Sequence, residues 1–242
     1  MSDSHQPEAD RQSVRTNRLS RERIIGRAIA IIDDSGPSAL TMRRLGHDLG
    51  VEAMSLYRYV NGREDLLEAV VDRLVGQIEV DPGGRMDPAD GWQAFLQWMA
   101  HAVRQLALAH PNAFPLIATR HPAAPWLRPP LRSLRMVEEF LDGLISRGFT
   151  EAQAVAAYRS FTSFLLGHLL LESAATGAST APVEDPLNEG DAALPTADTD
   201  LGVTDYPTVG RLRTQLSEDH TEAEFEQALE ALLDRMDLAL NQ

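Results

Sequence analysis

An all-α fold is predicted by three features of the 242-residue sequence. Apolar residues recur at helical spacing in one segment after another. Most of these segments open on a capping Ser, Thr, Asp or Asn, and many close on Gly or Pro. No stretch alternates apolar and polar residues for long enough to suggest a strand, and no segment repeats.

Each element follows from these signals. Met1–Asn17 lacks apolar periodicity and reads as a mobile arm. Ser20 is an N-cap for a first helix carrying Ile24, Ile25, Ala28, Ile29 and Ile32, stopped at Gly36-Pro37. Thr41 caps a second, Met42–Leu49, which Gly50 ends as a C′ glycine. A third, short helix runs from about Glu52 to Tyr59. Asn61-Gly-Arg-Glu64 has capping-box spacing and opens a fourth helix with Leu66, Leu67, Val70, Val71 and Leu74. Asp81-Pro-Gly-Gly84 is a linker by its turn chemistry, and Asp87-Pro88 starts the next helix, which carries Trp92, Phe95, Leu96, Met99, Val103 and Leu106.

His110-Pro111 and Pro122–Pro125 break the chain. Leu127, Leu131, Leu134, Val137, Leu141, Leu144 and Ile145 mark another amphipathic helix, closed by Gly148. Thr150-x-x-Gln153 is a second capping box. The helix behind it is apolar on nearly every face, so it is expected to be buried all round, by its own chain and by a partner subunit. Ala174 to Thr208 is poor in large apolar groups and reads as a flexible loop. Thr221-x-x-Glu224 then caps a last helix with Phe225, Leu229, Leu232, Leu233, Met236 and Leu240.

Composition narrows the function. With 43% hydrophobic residues the chain can build a core. The absence of cysteine excludes disulfides, thiolate metal sites and a thiol nucleophile. The start of the sequence has no apolar signal core, and no run reaches the roughly 18 apolar residues of a membrane span, so a cytoplasmic protein without a membrane partner is expected. No phosphate-cradling glycine loop, nucleophile elbow or zinc-protease spacing is present, so neither an enzyme nor a cofactor is expected. Seven histidines form no close pair, so no metal site is expected. His101, His121 and His168 fall near apolar helices, where they line a pocket or sit satisfied in a core.

The net charge of −14 is unevenly distributed. Arg11 to Arg63 holds ten arginines and five acids, whereas from Ile78 onward 11 arginines face 24 acids. A basic head therefore precedes an acidic body, as nucleic-acid contact requires, although a solvated basic surface gives the same count.

Within the head, Thr41–Val60 reads as two short helices joined by a glycine turn, a helix-turn-helix. Leu45, Leu49, Val51, Leu56 and Val60 are placed to pack inward. Ala53, Met54, Ser55, Tyr57 and Arg58 are left facing out, a set without a solubilising pattern. Short side chains allow close approach to base edges, apolar ones meet thymine methyls, and Tyr or Arg reaches phosphates and guanines. An ordinary αα-hairpin remains the other reading of this pattern.

Leu40-Thr-Met-Arg-Arg-Leu45, Leu49-Gly-Val51, Ser55-Leu-Tyr57, Tyr59-Val60 and Arg63-Glu-Asp-Leu-Leu67 resemble the head of tetracycline-repressor (TetR) family regulators, over about Asn17 to Ile78. More loosely, Trp92-Gln-x-Phe95, Thr119-Arg120, Gly148-Phe149, Leu166-Gly167 and Phe225-x-x-x-Leu229 are similar to the body of the tetracycline-repressor subclass.

The resemblance implies three segments: an arm (1–17), a helix-turn-helix domain (18–78) and a ligand-sensing, dimerising domain (79–242) with a loop at 174–208. It implies a homodimeric repressor, released from a palindromic double-stranded DNA operator by a small-molecule effector. Carried over by position, Thr41, Met42 and Arg43 reach DNA, Glu52, Ala53, Met54 and Ser55 face bases, Tyr57 and Tyr59 grip phosphates, and Arg58 and Arg63 complete the surface. Met42, Ala53, Met54, Arg58 and Tyr59 depart from the founding repressor, so a different operator is expected. The founding drug site uses histidines where this chain has Leu74–Gln77 and Leu116, so the resemblance does not extend to magnesium–tetracycline. The expected effector pocket is Trp92, Phe95, Met99, Phe114, Leu116, Phe140, Phe161, Phe164 and His168. The expected dimer interface is Leu165, Leu169, Phe225, Leu229, Leu232 and Met236.

Overall fold

The structure, a computed structural model, describes residues 19–78, 90–119, 127–129, 134–178 and 206–240. These form α-helices and one 3₁₀ turn, with no strand among the described residues. The arm 1–17, the linker 81–84, the Asp87-Pro88 start, the break at 122–125, His121, Leu131 and the middle of the expected loop lie outside the described residues.

The helices are α1 (Arg21–Ser35), α2 (Met42–Leu49), α3 (Ala53–Leu56), α4 (Arg63–Val75), α5 (Gly91–Ala109), α6 (Phe114–Thr119), α7 (Leu134–Ile145), α8 (Glu151–Ala175), α9 (Pro207–Leu216) and α10 (Thr221–Leu240). A 3₁₀ turn, Pro37–Ala39, joins α1 to α2.

Local chemistry sets most boundaries. Ser20 Oγ accepts from Arg23 N at 3.2 Å and Thr41 Oγ1 from Arg44 N at 3.1 Å, each satisfying an otherwise orphan amide. Gly50 closes α2 at φ 69°, in the left-handed region that a side chain would strain. Thr150 and Gln153 form the full reciprocal capping box.

Two caps differ from expectation by a residue or two. At α4 the N-cap is Gly62, and Asn61 N donates to Asp65 Oδ2 at 2.8 Å, so Asp65 and not Glu64 holds the entry. At α10 Asp219 Oδ1 accepts from Thr221 N and Oγ1 at 3.1 and 2.7 Å. Thr221 is therefore the first helical residue, not the cap.

In the head, α1 packs on α2, α4 and the 3₁₀ turn, and α2 packs on α3. The core is Ile24, Ala28, Ile32, Leu45, Leu56, Leu66, Leu67, Val70 and Leu74, all essentially inaccessible. Beyond it, α8 packs on α5, α6 and α7, and α4 touches α6. Packing divides the chain into Met1–Val183 and Glu184–Gln242, so the head and α5–α8 share one compact unit.

The long apolar helix α8 bears on two expectations. It is long and apolar enough to cross a membrane by length and composition, with a mean hydropathy of 1.2. Its contacts with α5, α6 and α7 give that apolarity a role in the core. Its own chain buries only one side, through Ala154, Ala157, Tyr158, Phe161, Leu165 and Leu169. Val155, Ala156, Ser160, Ser163, Gly167 and Leu171 remain exposed.

In the second unit, α9 is a helix that periodicity did not signal. Pro207 sits at its first turn and no residue in it is buried. In α10, Phe225, Leu229, Leu233 and Met236 are buried.

Candidate functional site

The head presents a helix-turn-helix whose two helices meet at Gly46. A Cβ there would lie 2.9 Å from Val51 O and 3.1 Å from Ala53 N, both backbone atoms that cannot swing away. This close approach fixes α3 on α2. Gly46 was missed in the sequence, where its place mid-helix reads only as a weak helix former.

The outward set follows the binary pattern. Leu45, Leu49, Leu56 and Val60 are buried. Met54 on α3 is 75% exposed and Tyr57, at its C-cap, 47% exposed, so large apolar side chains stand out from this short helix. Thr41, Arg43, Glu52 and Arg58 are exposed, while Met42, Ala53, Ser55 and Tyr59 are half-buried. Among the described residues no carboxylate engages Arg43 or Arg58, so both guanidinium groups are available to a phosphate or a base.

Other arginines of the head are committed. Arg27 Nε and Nη2 donate to Asp48 Oδ2 at 3.0 and 2.6 Å, tying α1 to α2. That bond holds the Asp48 carboxyl below its usual range. Arg44 Nη2 donates to Ser35 Oγ at 3.1 Å and lies 3.5 Å from Asp34.

Arg63, expected at the DNA surface, is also tied into the head. Its Nε donates to Leu40 O at 2.9 Å and its Nη2 to Pro37 O at 3.0 Å. It staples α4 to the 3₁₀ turn through these two bonds, and its Nη1 lies 3.5 Å from Glu64 Oε1.

Between α4, α5, α6, α7 and α8 lies an apolar cavity of about 50 Å³. Of the expected pocket residues, Met99, Phe114, Phe140 and Phe161 line it, joined by Val75, Ile78, Val103, Leu106, Ile117, Met136, Tyr158, Thr162, Leu165 and Leu166. No charged side chain does. Tyr158 OH donates to Pro129 O at 2.8 Å, and burial pushes the phenol up to about 12, so it remains a donor at neutral pH. The Tyr158/Phe161/Thr162/Leu165 spacing was the available signal for the α8 wall.

The remaining expected pocket residues are not in the cavity wall. Trp92 packs edge-on to Phe149 with centroids 5.4 Å apart, and Arg147 lies 4.7 Å above the Phe95 ring. Leu116 is buried, and Phe164 stacks near His168 at 5.8 Å. Aromatic type alone did not separate core from cavity.

Of the expected interface residues, Leu165, Leu169, Phe225, Leu229 and Met236 are buried within the single chain and Leu232 is part-exposed. No cluster of three His, Asp or Glu side chains suited to a metal occurs among the described residues.

Residues 86–238 match the tetracyclin repressor-like, C-terminal domain family. The class C tetracycline repressor protein of Escherichia coli is 28% identical over 179 residues, covering 74% of this chain and 78% of that protein. A solved structure of a possible TetR family transcriptional regulator from Streptomyces coelicolor A3(2) is similar at TM-score 0.68 and 28% identity, covering 91% of this chain and all of that one. The Streptomyces coelicolor TetR family protein ActR, in complex with actinorhodin, is similar at TM-score 0.64 and 26% identity, covering 90% and 95%.

Proposed function

Since the chain belongs to the tetracycline-repressor family of transcriptional regulators, we propose that it represses by gripping a palindromic operator as a homodimer and lets go when a small molecule enters its cavity. The exposed outer face of α3 carries the DNA half of this reading. Met54 and Ala53 suit thymine methyls, Ser55 a base edge, Tyr57 and Tyr59 phosphates, and Arg43 guanine.

The cavity carries the effector half. Its apolar wall, with one phenol and one threonine hydroxyl, suits an uncharged ligand that is mostly ring or chain. Pockets for drug-sized ligands measure roughly 300–1,000 Å³, so such a ligand has to force the 50 Å³ space open. Because α4 contributes Val75 to the wall, opening moves the helix that carries the head. Release then follows from the ligand's preference for the opened body. The neutral lining supports a ligand other than a metal chelate.

A gel shift with DNA flanking the protein's own gene tests the first half. A retained fragment with two half-sites about one helical turn or more apart is expected. Failure to retain any fragment would overturn the operator reading.

A further inference from the structure

Three consecutive residues end α1, and they face two different parts of the molecule. Asp34 and Ser35 engage Arg44 on α2 of the DNA-binding motif. Asp33 instead meets the turn between α5 and α6. His110 Nδ1 donates to Asp33 Oδ2 at 2.9 Å, and Asn112 Nδ2 donates to Asp33 O at 2.9 Å.

The pair is largely shielded from solvent, and Asp33 Oδ1 is buried with no partner among the described residues. A buried carboxylate oxygen without a donor costs free energy. Release of the contact would let Asp33 hydrate and would relieve that cost.

The turn is also a wall of the cavity at both ends. Val103 and Leu106 line it from the last turns of α5, and Phe114 and Ile117 from α6. His110 N donates to Leu106 O at 3.0 Å, and Phe114 N to His110 O at 2.9 Å. His110 is thus bonded in both directions to residues that a ligand must displace.

We propose that Asp33, His110 and Asn112 form a latch that reports the filling of the cavity to the helix-turn-helix through α1. The latch rests on the reading of the cavity as an effector site and adds a route beside α4. Spreading α5 from α6 draws His110 and Asn112 off Asp33. The end of α1 then shifts Arg44 through Ser35, and the middle of α1 shifts Asp48 through Arg27. These are positioning residues, since none touches the expected ligand or DNA.

The effector is unidentified, so overfilled cavities serve as the probe. Val103→Phe on α5 and, independently, Ile117→Phe on α6 each add bulk to the cavity. The readout is affinity for the duplex retained from the protein's own flanking DNA, with thermal melts confirming a folded chain. At least one folded variant is expected to bind tenfold or more weakly. In a His110→Ala/Asn112→Ala background the same change should weaken binding at least threefold less, the remainder being carried through α4. Asp33→Asn, which keeps an acceptor for His110, should preserve the tenfold effect.

Hydrogen exchange near Asp33 should rise in the overfilled variants with the latch intact. An equal loss of affinity with and without the latch residues overturns the latch and leaves the effector site standing. Folded overfilled variants that bind DNA normally overturn the effector reading and the latch together.

Discussion

Gly46 shows how one missing methyl positions a DNA-binding surface. Because backbone atoms block the space, Gly46→Ala can be accommodated only by moving α3 off α2. A destabilisation of about 1–3 kcal/mol is expected, as for other overpacked sites, with operator binding lost beyond what stability explains. Gly26 in α1 is the control: nothing lies within 4 Å of a Cβ there, so Gly26→Ala should stabilise by about 0.5–1 kcal/mol in a thermal melt. Equal effects at the two glycines would show that the approach at Gly46 is not a constraint.

The outward residues divide by chemistry. Loss of the Tyr57 hydroxyl in Tyr57→Phe should weaken binding to all sequences alike, as for a phosphate contact. Arg43→Ala should relax preference at one base pair per half-site by about 1–3 kcal/mol. Titration against operator, single-base variants and random DNA separates the two, and a uniform loss in Arg43→Ala would make Arg43 a phosphate contact.

The Arg27–Asp48 pair sets a pH dependence. The Asp48 carboxyl is depressed in the folded state, first by its hydrogen bond from Arg27. Its stabilisation is therefore present above the unfolded carboxylate range, near pH 4, and is lost as pH falls through the lower folded value. Urea melts should show a steeper loss below pH 4 in the wild type than in Asp48→Asn; parallel profiles would remove the pair from the account.

At the scale of elements, legibility followed the chemistry. Helices with a capping side chain and a periodic core face, α1, α2 and α8, could be placed from the sequence because cap and stripe are local properties. Entry into α4 is ambiguous in the sequence because Asn61, Glu64 and Asp65 offer two boxes one residue apart, and only the chain direction at Gly62 selects Asp65. Asp65→Ala should accordingly cost about 0.5–2 kcal/mol, while Glu64→Ala should have little effect on the melting temperature; the reverse order would make Glu64 the residue that holds the entry.

The bonds of Arg63 are hidden in the sequence for a related reason. A basic residue at a helix N-terminus suggests a phosphate, but the carbonyl groups of Pro37 and Leu40 that claim it are more than twenty residues distant in sequence. The cavity was half legible for the same reason. Its residues are apolar like the core, and which of them face a void depends on how five helices meet. The helix α9 leaves no apolar stripe in the sequence because it buries nothing.

For the whole molecule, the open side of α8 is the largest question its own chain leaves unanswered. Leu171 is 75% and Val155 39% exposed, with Ala156, Ser160, Ser163 and Gly167 between them. Small side chains flanked by apolar ones let another helix come close, and an exposed apolar face on a long helix is costly in water. On α10, Leu238 is likewise 66% exposed. The outward residues of α8 are therefore where we expect a homodimer to form. In a two-fold interface each substitution is introduced twice, so Leu171→Glu brings two carboxylates into one apolar contact. Light scattering at micromolar concentration should find a dimer for the wild type and for Leu171→Ala, and a monomer for Leu171→Glu. Because a palindrome is gripped by two heads, the monomeric variant should also lose operator affinity at protein concentrations where the wild type is saturated, while its α1–α4 head keeps its thermal stability. A Leu171→Glu protein that remains dimeric would place the interface elsewhere, and a monomeric wild type would remove the second head from the mechanism altogether.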